Sequence, residues 1–411
     1  MRKVLTTTIL LLFLLFSHFC LAQDFWMQLE VPENTGVYCI KGNTNGQTYL
    51  GARGFHISID HGLNWNPTSF TELVGTIDVN LKTGDIFVGN HLGVFYSTDN
   101  GENWNTTSFN DNALIVFLSS LNHIFIGNWG NIYKSTDNGD TWTQTLELSN
   151  DNEVASIIET ADGTMFAGVT AFMGGGGVYR SADSGDTWEQ IGLPNKYVRS
   201  LAVNSLGDIF AGSVGDHYLY YGGLYKSTDN GGTWVELRND VLVTSIVITP
   251  DDHIYFGSNE YGDQAGVFFS NDHGETWERI ISGLIGPSNQ KIEGLSLAPD
   301  GYLYAYGNHL HRSVNPVFDA NAAPLQEADD LTVFPNPFID FLHFQFPNGK
   351  YYAEDYSVNV FDPIGRLVFS QELGGLQDGT INLSSLPQGL YYISVEIRGQ
   401  RFSKPIVKNP K

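Results

Sequence analysis

The feature that most constrains this chain is an eight-residue motif written six times. It reads STDNGENW at 97–104 and returns as SIDHGLNW at 58–65, STDNGDTW at 135–142, SADSGDTW at 181–188, STDNGGTW at 227–234 and SNDHGETW at 270–277. The pattern S-x-D-x-G-x-x-W predicts a strand, a tight turn and a second strand. Its aspartate (Asp60, Asp99, Asp137, Asp183, Asp229 and Asp272) accepts hydrogen bonds from the turn's own amides, its glycine supplies a positive φ, and its Trp packs back across the hairpin. These carboxylates are thereby assigned to structure rather than to catalysis.

A second marker gives the count. Upstream of each box an apolar strand ends in glycine, at Gly51, Gly89, Gly127, Gly168, Gly212, Gly257 and Gly307, with spacings of 38 to 50 residues. That interval is the period of a four-stranded propeller blade, so seven glycines predict seven blades. The seventh lacks an outer strand, because HRSVNP at 311–316 is a degenerate box with no Trp. FWMQLEVPE at 25–33 resembles the segments that follow the other boxes, so the N-terminal strand from Trp26 is expected to complete the last blade and close the ring.

These boxes resemble the Asp-box, or bacterial neuraminidase repeat, of sialidases, xyloglucanases and sortilin-type receptors. The resemblance covers roughly residues 24–316. It implies an all-β propeller with the boxes on the face away from any ligand, but that family spans enzymes, receptors and binders.

Residues 1–22 read as a secretory signal: Arg2 and Lys3, an apolar core, and the small-residue site ending at Ala22. No later run approaches the roughly 20 apolar residues that a membrane span needs, so no transmembrane segment is expected after cleavage. Removal of the signal leaves Cys39 as the only cysteine, which rules out an internal disulfide. Residues 23–330 carry 38 acidic against 12 basic side chains, a balance that argues against nucleic acid or anionic lipid as a partner.

From 317 to 330 the periodicity gives way to small and acidic residues, the composition of a linker. Residues 331–411 then predict a small immunoglobulin-like antiparallel sandwich. FPNPF at 334–338, VFDPIGR at 360–366, LPQGLYYISV at 386–395 and FSKPIVK at 402–408 resemble the C-terminal sorting domain of type IX secretion in Bacteroidetes. That resemblance implies export to the cell exterior, with the secretion machinery as a partner of 331–411.

Candidate chemistry falls on the face opposite the boxes. Three long connectors on blades four to six contribute Phe172, His217, Tyr218, Tyr220, Tyr221, Glu260 and Tyr261, while Trp129 and His309 occupy the equivalent connectors of blades three and seven. Aromatic faces beside carboxylates suit sugar rings or peptide side chains; such residues can equally cap the blade beneath them. Arg199 and Glu293 follow the starts of inner strands, where other blades have Ala155 and Thr244, and are the catalytic candidates together with Glu260. A salt-bridged channel plug is the alternative for that pair.

A sialidase would need three converging arginines, yet only Arg53 and Arg199 are placed to reach the mouth. A xyloglucanase of this repeat class would need a second propeller. The histidines are scattered, with only His309 and His311 close and on one face of their strand, and no metal site or cofactor is expected. The expected function is binding of an extracellular glycan or protein, with a glycoside hydrolase as the alternative.

Overall fold

The computed structural model describes residues 24–32, 36–171, 176–215 and 222–318, and in the C-terminal region 332–335, 338–345, 356–361, 367–373, 378–397 and 400–409. The fold is all-β, with short 3-10 turns at Gly262–Gln264 and Pro287–Gln290 among the described residues. None of the described helices is long and apolar enough to cross a membrane.

Seven four-stranded antiparallel sheets precede residue 314, and their inner strands neighbour one another in cyclic order, the last beside the first. Each of the seven marker glycines lies on the second strand of a sheet. A Cβ at these positions would sit 2.2 to 3.0 Å from an inner strand of its own or the next blade, as Gly212 does from Val243 and Gly307 from Lys291. The glycines recur because inner strands approach there more closely than a side chain allows.

Ring closure follows the sequence. Trp26–Leu29 pairs antiparallel with Leu310–Ser313, completing the seventh sheet from the opposite end of the domain. Trp26 is fully buried between blades six and seven, and its indole donates to the carbonyl of Ile280 at 2.9 Å.

The boxes build hairpins as expected, with one addition. In each, the serine hydroxyl accepts from the glycine amide and donates to the aspartate, as in Ser181, where the bonds are 2.8 Å and 2.7 Å. The aspartate also accepts from the amide and side chain of the residue four positions after it, as Asp183 does from Thr187. These bonds hold the box carboxyls below the usual range, that of Asp183 at about 2. The residue before the glycine is left-handed as well, with φ of 57 to 59° at His61, Asn100, Asn138, Ser184, Asn230 and His273. Both central residues therefore have positive φ, the geometry that matches hairpin twist.

The box Trp does more than span its own hairpin. Trp104 packs against Phe55 of the first blade and Phe70 of the connector, so it also fills the seam between blades. A basic residue just before three of the boxes, and before the degenerate box of blade seven, ties the same seam. Lys134, Arg180, Lys226 and Arg312 donate to the carbonyls of Ser184, Asn230, His273 and His61, each the left-handed residue of the next box around the ring. Blade seven has lost its box but keeps this tie, Arg312 reaching His61 at 2.7 Å.

After residue 331 a three-stranded sheet (Thr332–Phe334, Phe341–Gln345, Asp378–Asn382) faces a four-stranded one (Tyr356–Phe361, Leu367–Leu373, Gly389–Ile397, Gln400–Lys408). Phe338, Leu342 and Ile381 meet Val358, Ile393 and Ile406 in one buried core between them.

Candidate functional site

Strand direction sets the two faces. First-to-second turns and boxes lie on one face, second-to-third connectors and interblade connectors on the other. On the connector face the ring is asymmetric. The inner strands of blades one to three pair in unbroken register, whereas those of blades four to seven each carry a bulge: between Val154 and Ser156, Val198 and Ser200, Val243 and Ser245, and Ile292 and Gly294.

The residue lifted out of register in each is Ala155, Arg199, Thr244 or Glu293. A bulge re-aims its side chain and is a recurrent device beside functional sites. Thr244 turns inward and ties blade six to blade seven, donating to the carbonyl of Ile292 at 2.7 Å. Arg199 and Glu293 are exposed.

Arg199 and Glu293 form no ion pair among the described residues, so the plug expected as an alternative is not what the geometry shows. The Glu293 carboxylate instead accepts from the Asn259 amide at 3.2 and 3.3 Å. Both charges act on one phenol, that of Tyr306.

Tyr306 is on the second strand, opposite Gly294, and its ring crosses the space a side chain there would fill: a Cβ on Gly294 would lie 2.2 Å from Cζ. Burial, the Cys39 thiol and Glu293 push the phenol up while Arg199 opposes them, so Tyr306 stays protonated at neutral pH. Sequence reasoning missed Tyr306; the signal was AYG beside IEGL, where the other bulged blades have Ser156, Ser200 and Ser245 in place of Gly294.

Cys39 lines the same wall, its thiol pushed up to about 12 by burial, an inert state. Lys41 and Asp78 form a 3.0 Å pair further along the inner strands.

The blade-six connector is held rigidly. Arg279 donates to the carbonyls of Ala265 (2.7 Å) and Gly262 (2.8 Å) and to Gln290 (3.0 Å), and Arg238 reaches Gln264 at 3.2 Å while paired with Asp240. On this connector Tyr261 is 74% exposed, with the Lys291 ammonium 3.3 Å from its ring centroid. Glu260 accepts from the Tyr261 amide.

Trp129 is 40% exposed on the rim of blade three. His309 contacts Gln28 at 3.4 Å, and its ring lies 6.4 Å from that of His311. Phe172, His217, Tyr218, Tyr220 and Tyr221 lie outside the described residues. Among the described residues no group of three His, Cys, Asp or Glu could hold a metal.

A recess of about 580 Å³ opens at the other mouth, on the box face, walled by Leu81, Val203, Ile248, Leu297 and Phe318. Its polar residues are taken up within turns, Asn204 with Asp208 and Thr249 with Asp251, and between blades, where the Ser205 amide donates to Asp252. It brings no convergent polar groups and is not the candidate site.

Fold and repeats together define the class: an Asp-box propeller carrying a type IX sorting domain, exported to the cell surface or the extracellular space. Residues 332–409 match the secretion system C-terminal sorting domain, and 95–106 and 268–279 match the BNR/Asp-box repeat.

No curated protein matches the chain in sequence. Among solved structures it is similar to the extracellular domain of BT4673 from B. thetaiotaomicron, at 16% identity and a TM-score of 0.59, over 84% of this chain and 47% of that one. It is similar also to the GH74 enzyme of Niastella koreensis (17% identity, TM-score 0.56, 79% of this chain and 60% of that one). A third is the GH74 xyloglucanase of Xanthomonas campestris (13% identity, TM-score 0.51, 90% and 72%). The chain thus spans about half the length of the first of these, and at such identities the likeness is one of fold.

Proposed function

We propose that this secreted propeller, residues 23–316 followed by a linker and the sorting domain from 331, binds an extracellular glycan on its connector face. The observation that carries this reading is the half-ring of bulges in blades four to seven, which sets an exposed Arg199 and Glu293 beside Asn259 and Tyr306 at the channel mouth. Carboxylate, amide and phenol are complementary to sugar hydroxyls, and Tyr261 and Trp129 offer exposed ring faces on the rim.

The test is a polysaccharide pull-down and glycan array with the full chain, its Tyr261→Ala/Trp129→Ala variant and Glu293→Gln. Binding that weakens at least tenfold in the variants supports the reading. Absence of binding to every glycan overturns it and leaves a protein ligand.

A second reading, glycoside hydrolysis, is favoured by one contact: Asn259, the neighbour of Glu260, is bonded to Glu293, so two carboxylates occupy adjacent segments. A hydrolase needs its pair about 5 to 10 Å apart across the scissile bond. Release of reducing sugar that is lost in Glu293→Gln would favour this reading over binding alone.

A further inference from the structure

The arginines of the propeller divide sharply. Arg180 pairs with Glu189, Arg238 with Asp240 and Arg279 with Asp263, and Arg312 donates to His61. In a domain where acids outnumber bases about threefold, an arginine normally finds a carboxylate. Arg53 and Arg199 have no hydrogen-bonded or ionic side-chain partner among the described residues, and both are exposed on the connector face. Arg53 stands in the second-to-third connector of blade one, on the rim. Arg199 is the residue lifted out of register by the bulge of blade five, on the face that also holds the Glu293–Asn259 pair, and its charge acts on Tyr306.

Resting on the glycan-binding reading, we propose that this mouth is a subsite for a single terminal uronic acid, its carboxylate taken by Arg199 and its hydroxyls by Glu293 and Asn259. A guanidinium presents a planar donor fork that matches a carboxylate, and leaving it unpaired at a mouth walled by blades is a vacancy of that shape. Glu293 can only accept and the Asn259 amide, already donating to it, can also accept, which is the demand of neighbouring sugar hydroxyls.

The long-range field sets the charge of the ligand. A chain of formal charge −24 repels a polyanion wherever it lies within the screening length of the surface, so a polyuronate laid along that surface meets repulsion at each residue for one good contact. One carboxylate at a chain end gains the short-range pair and little of the repulsion.

The test compares two disaccharides of one backbone, cellobiouronic acid with a single terminal carboxylate and neutral cellobiose, titrated calorimetrically against the full chain, Arg199→Gln and Glu293→Gln. Tenfold or tighter binding of the acid is expected, a preference that Arg199→Gln abolishes while Glu293→Gln weakens both sugars alike. Equal binding of the two sugars, or a preference that survives Arg199→Gln, overturns the proposal. If neither disaccharide binds while neutral glycans are retained on the array, the uronate subsite falls and glycan binding stands. If no glycan binds in either experiment, the parent reading falls with it. Polygalacturonate binding more tightly than the disaccharide at low salt would also overturn the chain-end assignment.

Discussion

At the scale of single residues, the site depends on a side chain that is missing. Gly294 lets Tyr306 cross from the second strand into the channel, and a methyl group there would meet the ring at 2.2 Å. The ring packs against the buried cluster of Leu29, Ile40, Leu50 and Tyr304. Gly294→Ala is therefore expected to displace Tyr306, costing about 1 to 3 kcal/mol as an overpacked contact and weakening glycan binding severalfold. Tyr306→Phe keeps the packing and loses only the hydroxyl, so its thermal midpoint should stay near the wild type while binding falls. Paired melting and titration experiments separate the two; equal loss of stability in both variants would mean that Tyr306 serves packing alone.

Among elements, the blades show what the sequence made legible and what it did not. Box spacing, the seven glycines and the likeness of 25–33 to the post-box strands were enough to place every blade and the closing strand, because each reports a local backbone demand. The bulges were not legible. They are relations between two strands, and only the odd residues Arg199 and Glu293 hinted at them. Nor did the ties from Lys134, Arg180, Lys226 and Arg312 stand out, since a basic residue on a strand reads as surface until its partner on the next blade is known.

The closing blade is where these elements are most exposed to failure. Trp26→Ala removes the largest buried side chain of the closing strand, and a cost of about 3 to 5 kcal/mol is expected, with protease cleavage appearing first in blade seven. The same blade carries a pH dependence. His311 is buried with neither ring nitrogen hydrogen-bonded, and desolvation, aided by nearby His309, lowers it from 6.5 to about 4. Its folded pKa is depressed, so the stability it permits is complete above the unfolded value of about 6.5 and is lost as pH falls toward 4. That loss is on the order of 3 kcal/mol, and His311→Leu should flatten the stability curve between those limits. An unchanged profile in His311→Leu would assign acid sensitivity to other groups.

For the whole molecule, the question is whether the exported cargo and its sorting domain act independently. The contact between them is on the box face: the Tyr392 hydroxyl donates to the carbonyl of Asn271 at 3.2 Å, and its ring lies 5.5 Å from that of His253. Asn271 belongs to the sixth box and His253 follows the first turn of the same blade, and the last described residue before the tail, Phe318, borders the recess on that face. The candidate site opens at the other end of the channel, the length of a strand away, which is about 17 to 20 Å. No side chain of the site touches the tail among the contacts described, and the propeller closes on its own strands, not on the sandwich. Residues 24–318 alone should therefore bind glycan within about twofold of the full chain, since a coupling of less than roughly 0.4 kcal/mol is all that twofold represents. Tyr392→Ala should likewise leave affinity unchanged while loosening the sandwich from blade six, read as faster proteolysis between 319 and 331. A tenfold change in affinity on removing the tail would show that the two faces are coupled through the blades, and would place control of binding in the sorting domain.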